Sequence, residues 1–370
     1  MATEATGLLL GGGAPTLTLQ SGALAALHDN NVHFDVISTA GAGMLIGLLY
    51  AAPKGMSPRQ ALEQTKEMGV HDTIYDQFPV NFKVFHKPGT MADGYRRWLQ
   101  SLPRLVPGQA EASRLFADWM ALMFAAWCPS DLSEKSQGLC DHAPWIDEVV
   151  DFEKLQEFPG EFYMNAYNIT DGKMELFGKQ QITADHFRAA LAFPFIYPPF
   201  KLNGKTYIEG SAIDTLCFEG LLKYRDDQLN KERADETQTK KLARRVPLRN
   251  VVIFDVLSSR KIIREPRTLY EAWIQSIMIP LVEIAKDDIE IFKYKHNHYW
   301  NLNLMPIKFD IPEAHWPKVL DWSYSNLSIL YDIGYKAGEQ FYEDNKKVLA
   351  AEAQPDAAAR ATGRRGAGTR

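Results

Sequence analysis

The segment Leu8-Leu9-Leu10-Gly11-Gly12-Gly13 is the first indication of the fold of this chain. Its leucines predict a short buried strand, and its glycines predict a tight turn, because glycine adopts backbone conformations that are closed to other residues. Apolar residues then recur at helical spacing from Leu19 to His28, and a second strand is predicted from Phe34 to Ser38. The small residues that follow lead into an apolar helix from Met44 to Ala51. Such alternation favours parallel strands with right-handed crossovers, so we predict an α/β fold with a central, mainly parallel sheet flanked by helices.

The rest of the chain extends this single α/β domain, which we expect to cover residues 1–348. Residues 57–150 predict mostly helices rich in aromatic side chains, and we interpret them as a helical insertion or cap. Residues 226–245 are strongly polar and predict a solvated helix or a loop, and residues 349–370 predict a disordered tail. Further strands are predicted at Glu161 to Ile169, Lys173 to Phe177, Lys205 to Ile208 and Asn250 to Val256, and long amphipathic helices at Leu269 to Phe292 and Trp316 to Phe341.

Composition excludes several classes of function. The 370 residues include 41 Lys and Arg against 46 Asp and Glu, a net charge of −5, so the chain lacks a general attraction for nucleic acid. Its 3 cysteines fit neither a zinc pattern nor a disulfide framework, which favours a reducing compartment. No stretch approaches the roughly 18 apolar residues of a membrane span, and no basic segment precedes the first apolar run. We therefore expect a soluble, cytoplasmic protein.

The glycine-rich turn Gly11, Gly12 and Gly13 is the first candidate site. Glycines expose backbone N–H groups because no Cβ blocks the approach, so the turn suits either the oxyanion of an acyl-transfer reaction or a phosphate. A tight packing turn between strand and helix is an equally good interpretation. A dinucleotide fingerprint is disfavoured, because Thr16 stands where the third glycine belongs.

The small-residue turn from Ser38 to Gly43 is the second candidate site. A sharp turn between a strand and a helix is the setting of a nucleophile elbow, where the helix N-terminus stabilises developing negative charge. Where the pattern G-x-S-x-G places serine, this chain has Ala40, or Gly41 if the gap is placed differently. Alanine has no group that attacks a carbonyl carbon.

The third candidate site is the predicted hairpin that ends in Glu209-Gly210, after a proline-stiffened turn at residues 193–200. A carboxylate at a strand end beside glycine can act as a general base without a histidine partner. Taken alone, Glu209 is more often an ordinary turn residue.

In content and order, these segments resemble the patatin-like acyl hydrolases, also known as patatin-like phospholipases. The resemblance covers roughly residues 7–216 and matches three features of the family. These are an oxyanion loop at residues 11–13, an elbow similar to G-T-S-A-G at residues 38–42, and a D-G-[GA] pattern echoed by Glu209-Gly210-Ser211.

The resemblance implies a mechanism and its residues. A serine–carboxylate dyad would hydrolyse a carboxylic ester of a lipid through an acyl-enzyme, with no metal and no organic cofactor. The nucleophile position falls on Ala40, within an elbow formed by Thr39 and Gly41, and residues 11–13 form the oxyanion hole. Glu209 replaces the family's aspartate as the base, and Asp214 is a second candidate.

Ala40 leaves two explanations open. We favour an engineered Ser→Ala replacement, and therefore an inactive variant, because the glycines and carboxylates persist around the position. The alternative is a natural pseudoenzyme that binds an acyl ligand or a protein partner. A glycerolipid is the substrate that the resemblance favours, although a short hydroxyalkanoate ester, a polyester or a thioester would use the same chemistry.

The apolar stretch from Phe116 to Cys128 bears on a further partner, a lipid surface. Trp119, Met120, Met123, Phe124 and Trp127 share one helical face. A lid or a peripheral membrane contact has this pattern, but so does a core helix, which we favour. The pair of histidines at positions 296 and 298 lacks accompanying ligands, so no metal site is predicted.

Overall fold

A mixed sheet of eight strands forms the centre of the structure. The structure is a computed structural model that describes residues 4–13, 16–101, 111–235, 247–254, 256, 263–266, 269–318 and 320–349. The strands are β1 (Ala5–Leu10), β2 (Val36–Thr39), β3 (Glu161–Asn168), β4 (Lys173–Gly178), β5 (Phe200–Leu202), β6 (Lys205–Glu209), β7 (Leu248–Phe254) and β8 (Asn303–Pro306).

The strand order is β5-β6-β3-β2-β1-β7-β8, and β4 also pairs with β3. Strands β3, β2, β1, β7 and β8 run parallel, whereas β4, β5 and β6 are antiparallel to their neighbours. Every residue of β1 is buried, which is typical of a parallel strand that helices cover on both faces. The predicted fold, a central and mainly parallel sheet flanked by helices, is confirmed.

Helices cover both faces of the sheet and form most of the segment between β2 and β3. They are α1 (Leu17–Asp29), α2 (Gly43–Ala51), α3 (Pro58–Gln64), α4 (Asp72–Gln77), α5 (Thr90–Ser101), α6 (Glu111–Trp127), α7 (Ile146–Val149), α8 (Phe152–Gln156), α9 (Ala184–Ala190), α10 (Glu219–Asp235), α11 (Leu269–Phe292), α12 (His298–Trp300) and α13 (Tyr324–Leu349). Short turns of 3-10 helix lie at Thr65–Met68, Gly210–Ala212 and Glu313–Lys318, and a π-helical turn lies at Lys293–Asn297.

The last long helix starts later than the sequence predicts. The periodicity indicated a helix from Trp316, but α13 begins at Tyr324. The residues just before it are extended, because Val70 donates a backbone hydrogen bond to Trp322 (2.9 Å) and accepts one from Tyr324 (2.8 Å). Helix α11, by contrast, has the predicted bounds, and it continues past Pro280.

Two segments singled out in the sequence fall partly outside the described residues. The polar segment 226–245 continues α10 as far as Asp235, and residues 236–246 lie outside the described part of the chain. The predicted tail lies outside it from residue 350 onward.

Glycines let α13 pack unusually close to α1, the helix that follows the glycine-rich turn. A Cβ at Gly22 would lie 2.0 Å from the carbonyl oxygen of Tyr331, and a Cβ at Gly334 would lie 2.1 Å from that of Leu19. The two backbones therefore touch without intervening side chains. This contact fixes α1, and with it the start of the helix that leaves the candidate site.

Candidate active site

The turn between β2 and α2 forms a sharp elbow whose vertex is Gly41. Gly41 has φ +53°, in the left-handed region that favours glycine. Ala40 is fully buried and donates its backbone N–H to the carbonyl oxygen of Leu10 (3.0 Å). Thr39 is also buried, and its hydroxyl donates to the carbonyl oxygen of Tyr163 (2.9 Å). Neither Thr39 nor Ala40 is among the described residues that line the adjacent cavity.

The first turn of α2 packs directly on the end of β1. A Cβ at Gly43 would lie 2.4 Å from the carbonyl oxygen of Leu10 and 2.5 Å from that of Gly11. A larger residue would therefore push the helix away from the strand. This close approach brings the N-terminus of α2 next to the glycine-rich turn.

A side chain at the vertex would point at Glu209 and Ser211. A Cβ built on Gly41 lies 2.7 Å from Oε1 of Glu209, 2.7 Å from Oγ of Ser211 and 3.0 Å from Cα of Gly12. The sequence placed the missing nucleophile at Ala40, with Gly41 as the alternative register. In the structure, it is Gly41 that faces the carboxylate.

Glu209 is a buried carboxylate at the end of β6, with 7% of its surface exposed. Its backbone N–H donates to the carbonyl oxygen of Ala192 (3.0 Å), and its Oε1 accepts a hydrogen bond from the hydroxyl of Ser211. Burial raises the pKa of Glu209 to about 8, and the hydrogen bond from Ser211 offsets part of that rise. A carboxyl group with a pKa near neutrality is suited to exchanging protons.

Asp214, the second candidate base, is held by other partners than Glu209 and does not line the cavity. Its carboxylate accepts hydrogen bonds from the backbone N–H of Cys217 (2.9 Å) and from Nδ2 of Asn165 (3.2 Å). Burial raises the pKa of Asp214, and the same cause raises that of its neighbour Asp288 to about 7. Asp214 is not among the described cavity-lining residues, whereas Glu209 lines the cavity and lies 2.7 Å from the Cβ position of Gly41.

The three glycines of the first turn have different surroundings. A Cβ at Gly11 would lie 2.9 Å from the side chain of Leu216, so Gly11 serves close packing. Gly12 and Gly13 line the cavity, and Gly12 donates its N–H to the carbonyl oxygen of Thr215 (3.3 Å). Within the described part of the chain, the N–H groups of Gly13 and of the cavity-lining Ala42 have no hydrogen-bond acceptor. Both N–H groups belong to cavity-lining residues and can donate to a ligand.

An apolar cavity of about 390 Å³ opens from this polar corner, a volume typical of small-molecule sites. It lies between the sheet end, the segment 57–150 and α11. Its aliphatic and aromatic lining includes Leu17, Leu45, Met68, Val80, Val84, Phe85, Leu139, Trp145, Phe187, Leu191, Phe193, Ile196, Tyr197, Trp273, Ile274, Ile277, Met278, Leu281, Leu320 and Trp322.

The favoured interpretation of the Phe116 to Cys128 stretch as a core helix is wrong. At least half of the surface of each of three aromatic residues is exposed: 58% for Phe116, 50% for Trp119 and 68% for Trp127. Among the side chains of α6 that the structure describes, the buried one belongs to Asp118, which forms an ion pair with Lys83 (2.7 Å). The amphipathic face of α6 is thus turned largely outward.

Two further expectations bear on membranes and metals. None of the described helices is both long and apolar enough to cross a membrane. Among the described residues, no group of three or more His, Cys, Asp or Glu side chains is arranged to hold a metal ion.

Comparison with known proteins assigns the chain to a family. The family model described as patatin-like phospholipase matches residues 8–222, more than half of the 370 residues. The chain belongs to the patatin-like phospholipase family. The match extends from β1 into α10 and therefore includes the elbow, Glu209 and most of the cavity lining. A comparison with curated proteins finds no match.

Several solved structures are similar to this patatin-like chain. VipD from Legionella pneumophila shares 12% identity, with 93% of this chain and 67% of that chain covered and a TM-score of 0.40. The ExoU–SpcU complex of the Pseudomonas aeruginosa type III secretion system shares 13% identity, covering 94% and 52%, with a TM-score of 0.36. Human GIVD cytosolic phospholipase A2, bound to methyl γ-linolenyl fluorophosphonate, shares 10% identity, covering 95% and 60%, with a TM-score of 0.39. This chain therefore spans between 52% and 67% of those chains.

Sequence reasoning missed two parts of the site. Ser211 was quoted only as part of a pattern, and its hydrogen bond to Glu209 was not anticipated. The available signal was its position two residues after the candidate base, beside Gly210. The sequence also left open which face of α11 lines the cavity, because periodicity does not show which side of an amphipathic helix faces a pocket.

Proposed function

We propose that this chain binds the acyl chain of a lipid carboxylic ester in the apolar cavity and hydrolyses the ester, with Glu209 as the general base. The observation that carries the proposal is the position of the Glu209 carboxylate, which is buried beside the elbow vertex at the polar corner of the cavity. Membership of the patatin-like phospholipase family supports lipid acyl hydrolysis as the reaction class.

The cavity suits an acyl chain because its lining is largely aliphatic and aromatic. Each methylene that moves from water into such a lining contributes about 0.8 kcal/mol of binding free energy. Affinity is therefore expected to rise with chain length until the cavity is full. Methylenes beyond that length would extend out of the mouth and would add little affinity.

The polar corner supplies the other requirements of ester hydrolysis. The N–H groups of Gly13 and Ala42, which lack acceptors in the described part of the chain, are our proposed oxyanion donors. Of the residues 11–13 that the sequence indicated, this proposal keeps Gly13 as an oxyanion donor, and it adds Ala42 from the elbow. Deprotonated Glu209 accepts a proton from the attacking group, and no cofactor is required.

We also propose Gly41 as the position at which the family places its nucleophilic serine. Its left-handed φ and the direction of its Cβ toward Glu209 support this register, whereas Ala40 is buried against β1. In this register, the family's serine does not belong at position 40, so an engineered Ser→Ala replacement of Ala40 is not needed to explain the missing nucleophile. Asp214 has no part in the proposed chemistry.

A second candidate function is acyl binding without turnover. The observation that favours it is Gly41 itself, since a vertex without a side chain offers no nucleophile. The pocket would then act as a receptor for a fatty acid or a lipid. The expectation of an inactive chain, which the sequence suggested, stays a prediction that an esterase assay tests.

Lipid-surface contact fits the same proposal. The exposed side chains of Phe116, Trp119 and Trp127 give α6 an apolar outer face. Residues of the segment 57–150 line the cavity, so we propose that this segment caps the bound acyl chain. Such a face allows a cap to rest on a lipid surface while the substrate enters.

The test measures binding and turnover separately. Calorimetric titration with fatty acids of graded length should give affinities that rise with length, and p-nitrophenyl esters from acetate to palmitate report turnover. Leu191→Trp fills the cavity and should abolish the preference for long chains, whereas Leu229→Trp, on the exposed face of α10, should leave it unchanged. The proposal fails if no acyl compound binds, or if the Leu191 variant binds long chains like the native protein. Binding without turnover would select the second candidate.

A further inference from the structure

A hydroxyl group lies where a side chain of Gly41 would point. The Oγ atom of Ser211 is 2.7 Å from the Cβ position built on Gly41. It therefore lies close to the place that the hydroxyl of a serine at the vertex would occupy. Ser211 is 2% exposed, and it lines the apolar cavity. The site therefore contains a serine hydroxyl, although the vertex of the elbow has none.

The Ser211 hydroxyl already donates a hydrogen bond to Oε1 of Glu209. We propose that Ser211 is the nucleophile of this chain and that Glu209 removes its proton. This inference rests on the proposed function, and it names the group that makes turnover possible in spite of Gly41. The serine and the carboxylate come from one short segment rather than from two distant ones.

The turn after β6 fixes this pair. Residues Gly210–Ala212 form a single 3-10 turn, and a Cβ at Gly210 would lie 2.6 Å from Oδ1 of Asn165, so only glycine fits there. The hydroxyl of Thr215 donates to the carbonyl oxygen of Ser211 (3.1 Å). The turn thus folds Ser211 back against Glu209. A preorganised serine–base hydrogen bond is the recurring requirement for an activated hydroxyl nucleophile.

Glycines leave room for an ester at Ser211. A Cβ at Gly12 would lie 3.2 Å from Cβ and 3.3 Å from Oγ of Ser211, so any side chain at position 12 would crowd the hydroxyl. The absence of one at Gly41 has the same effect on the other side. A carbonyl group that approaches Oγ therefore lies against the backbone of the glycine-rich turn and the elbow, where the N–H groups of Gly13 and Ala42 are located.

The reaction balances with these groups alone. Oγ of Ser211 forms a bond to the carbonyl carbon while its proton moves to the Glu209 carboxylate, and the carbonyl π electrons move to the oxygen. Collapse of this oxyanion breaks the ester C–O bond, and Glu209 returns the proton to the departing alkoxide. Water then attacks acyl-Ser211 with Glu209 again as base, which releases the carboxylic acid and restores the serine.

A purely structural role for this hydrogen bond predicts different behaviour. If Ser211 only tied the turn to Glu209, replacing it would change stability but not chemistry. The variants therefore need a readout that folding alone does not move. Covalent labelling by a fluorophosphonate provides it, because only an activated hydroxyl becomes phosphonylated.

The experiment compares the native chain with Ser211→Ala, Glu209→Gln and the double variant Gly41→Ser/Ser211→Ala. We expect the native chain to hydrolyse p-nitrophenyl esters and to carry the phosphonyl label on the peptide that contains Ser211. Ser211→Ala should lose about 1000-fold or more in kcat/KM, and the label, while binding fatty acids like the native chain. The double variant returns a hydroxyl to the Glu209 carboxylate from the elbow and should recover both.

Each remaining result counts against the inference in a distinct way. Label on another residue, or retained hydrolysis by Ser211→Ala, overturns Ser211 as the nucleophile. A native chain that binds fatty acids but neither hydrolyses esters nor takes up label also overturns it, and leaves acyl binding standing. Absence of any acyl binding removes the proposed function, and this inference with it.

Discussion

Replacing Glu209 with glutamine should stabilise the protein in alkaline solution even though it removes the proposed base. Burial raises the pKa of Glu209 from 4.5 to about 8, so the folded state resists its ionisation. Below pH 4.5 the group is protonated in both states and contributes no penalty. As the pH rises from 4.5 to about 8, the unfolded chain ionises first, and native stability falls; above about 8 the penalty is complete.

The size of this penalty follows from the shift. Each pH unit within the window costs about 1.4 kcal/mol of unfolding free energy, so the native chain should lose about 3 kcal/mol between about pH 6 and about pH 9 through this group alone. The glutamine side chain of the variant has nearly the same shape as that of Glu209 and no charge. Its carbonyl oxygen can still accept the hydrogen bond from the Ser211 hydroxyl. The other ionisable groups are the same in both proteins and cancel in the difference.

Urea unfolding followed by tryptophan fluorescence measures the effect at both pH values. The quantity of interest is the free energy of unfolding of Glu209→Gln minus that of the native chain. It should be about 3 kcal/mol larger at the higher pH. A difference that does not change with pH would refute the reasoning, because Glu209 would then ionise in the folded state as readily as in water.

Three further outcomes are expected. Hydrolysis should increase with pH through about 8, because Glu209 acts as a base only when deprotonated; a pH profile of kcat/KM checks this, and a rate that falls over that range contradicts it. Lys83→Met should lower the unfolding free energy by about 3 kcal/mol, since it leaves the buried Asp118 carboxylate without its ion pair, and urea unfolding measures this loss. Gly334→Ala should lower the melting temperature by several degrees, because its Cβ would lie 2.1 Å from a backbone carbonyl of α1. The control Gly94→Ala, with open space around it in α5, should raise the unfolding free energy by up to about 1 kcal/mol, and thermal and urea unfolding measure the two effects.

The sheet was predictable because residues 8–51 alternate between strand and helix patterns, and such alternation requires parallel strands joined by crossover helices. The place of Glu209 at the end of a hairpin strand was also predicted, and the structure has it at the end of β6, whereas its role as the base stays a prediction. The choice between Glu209 and Asp214 depended on the 3-10 turn between them, which directs Asp214 toward Asn165. Turn geometry of this kind is set by tertiary contacts and not by spacing.

The sequence could not show which residue forms the vertex of the elbow, for another reason. Ala40, Gly41, Ala42 and Gly43 are all small, so the pattern fits in two registers that differ by one residue. Only the backbone angle at Gly41 and the close approach of Gly43 to β1 distinguish them. The pairing of Ser211 with Glu209 was hidden for the same reason, since it depends on where the turn directs each side chain.

The close packing of α1 against α13 shows that the folded unit is longer than the region matched by the family model. The family pattern ends at residue 222, but β7 pairs with β1 in the middle of the sheet, and α13 seals α1 through its glycines. A protein shortened to the matched region would present an open strand edge and a bare helix groove to its neighbours, and both promote aggregation. Expression from the family boundary alone is therefore expected to give aggregated protein, whereas a chain that includes α13 keeps the described elements that pack on β1 and α1.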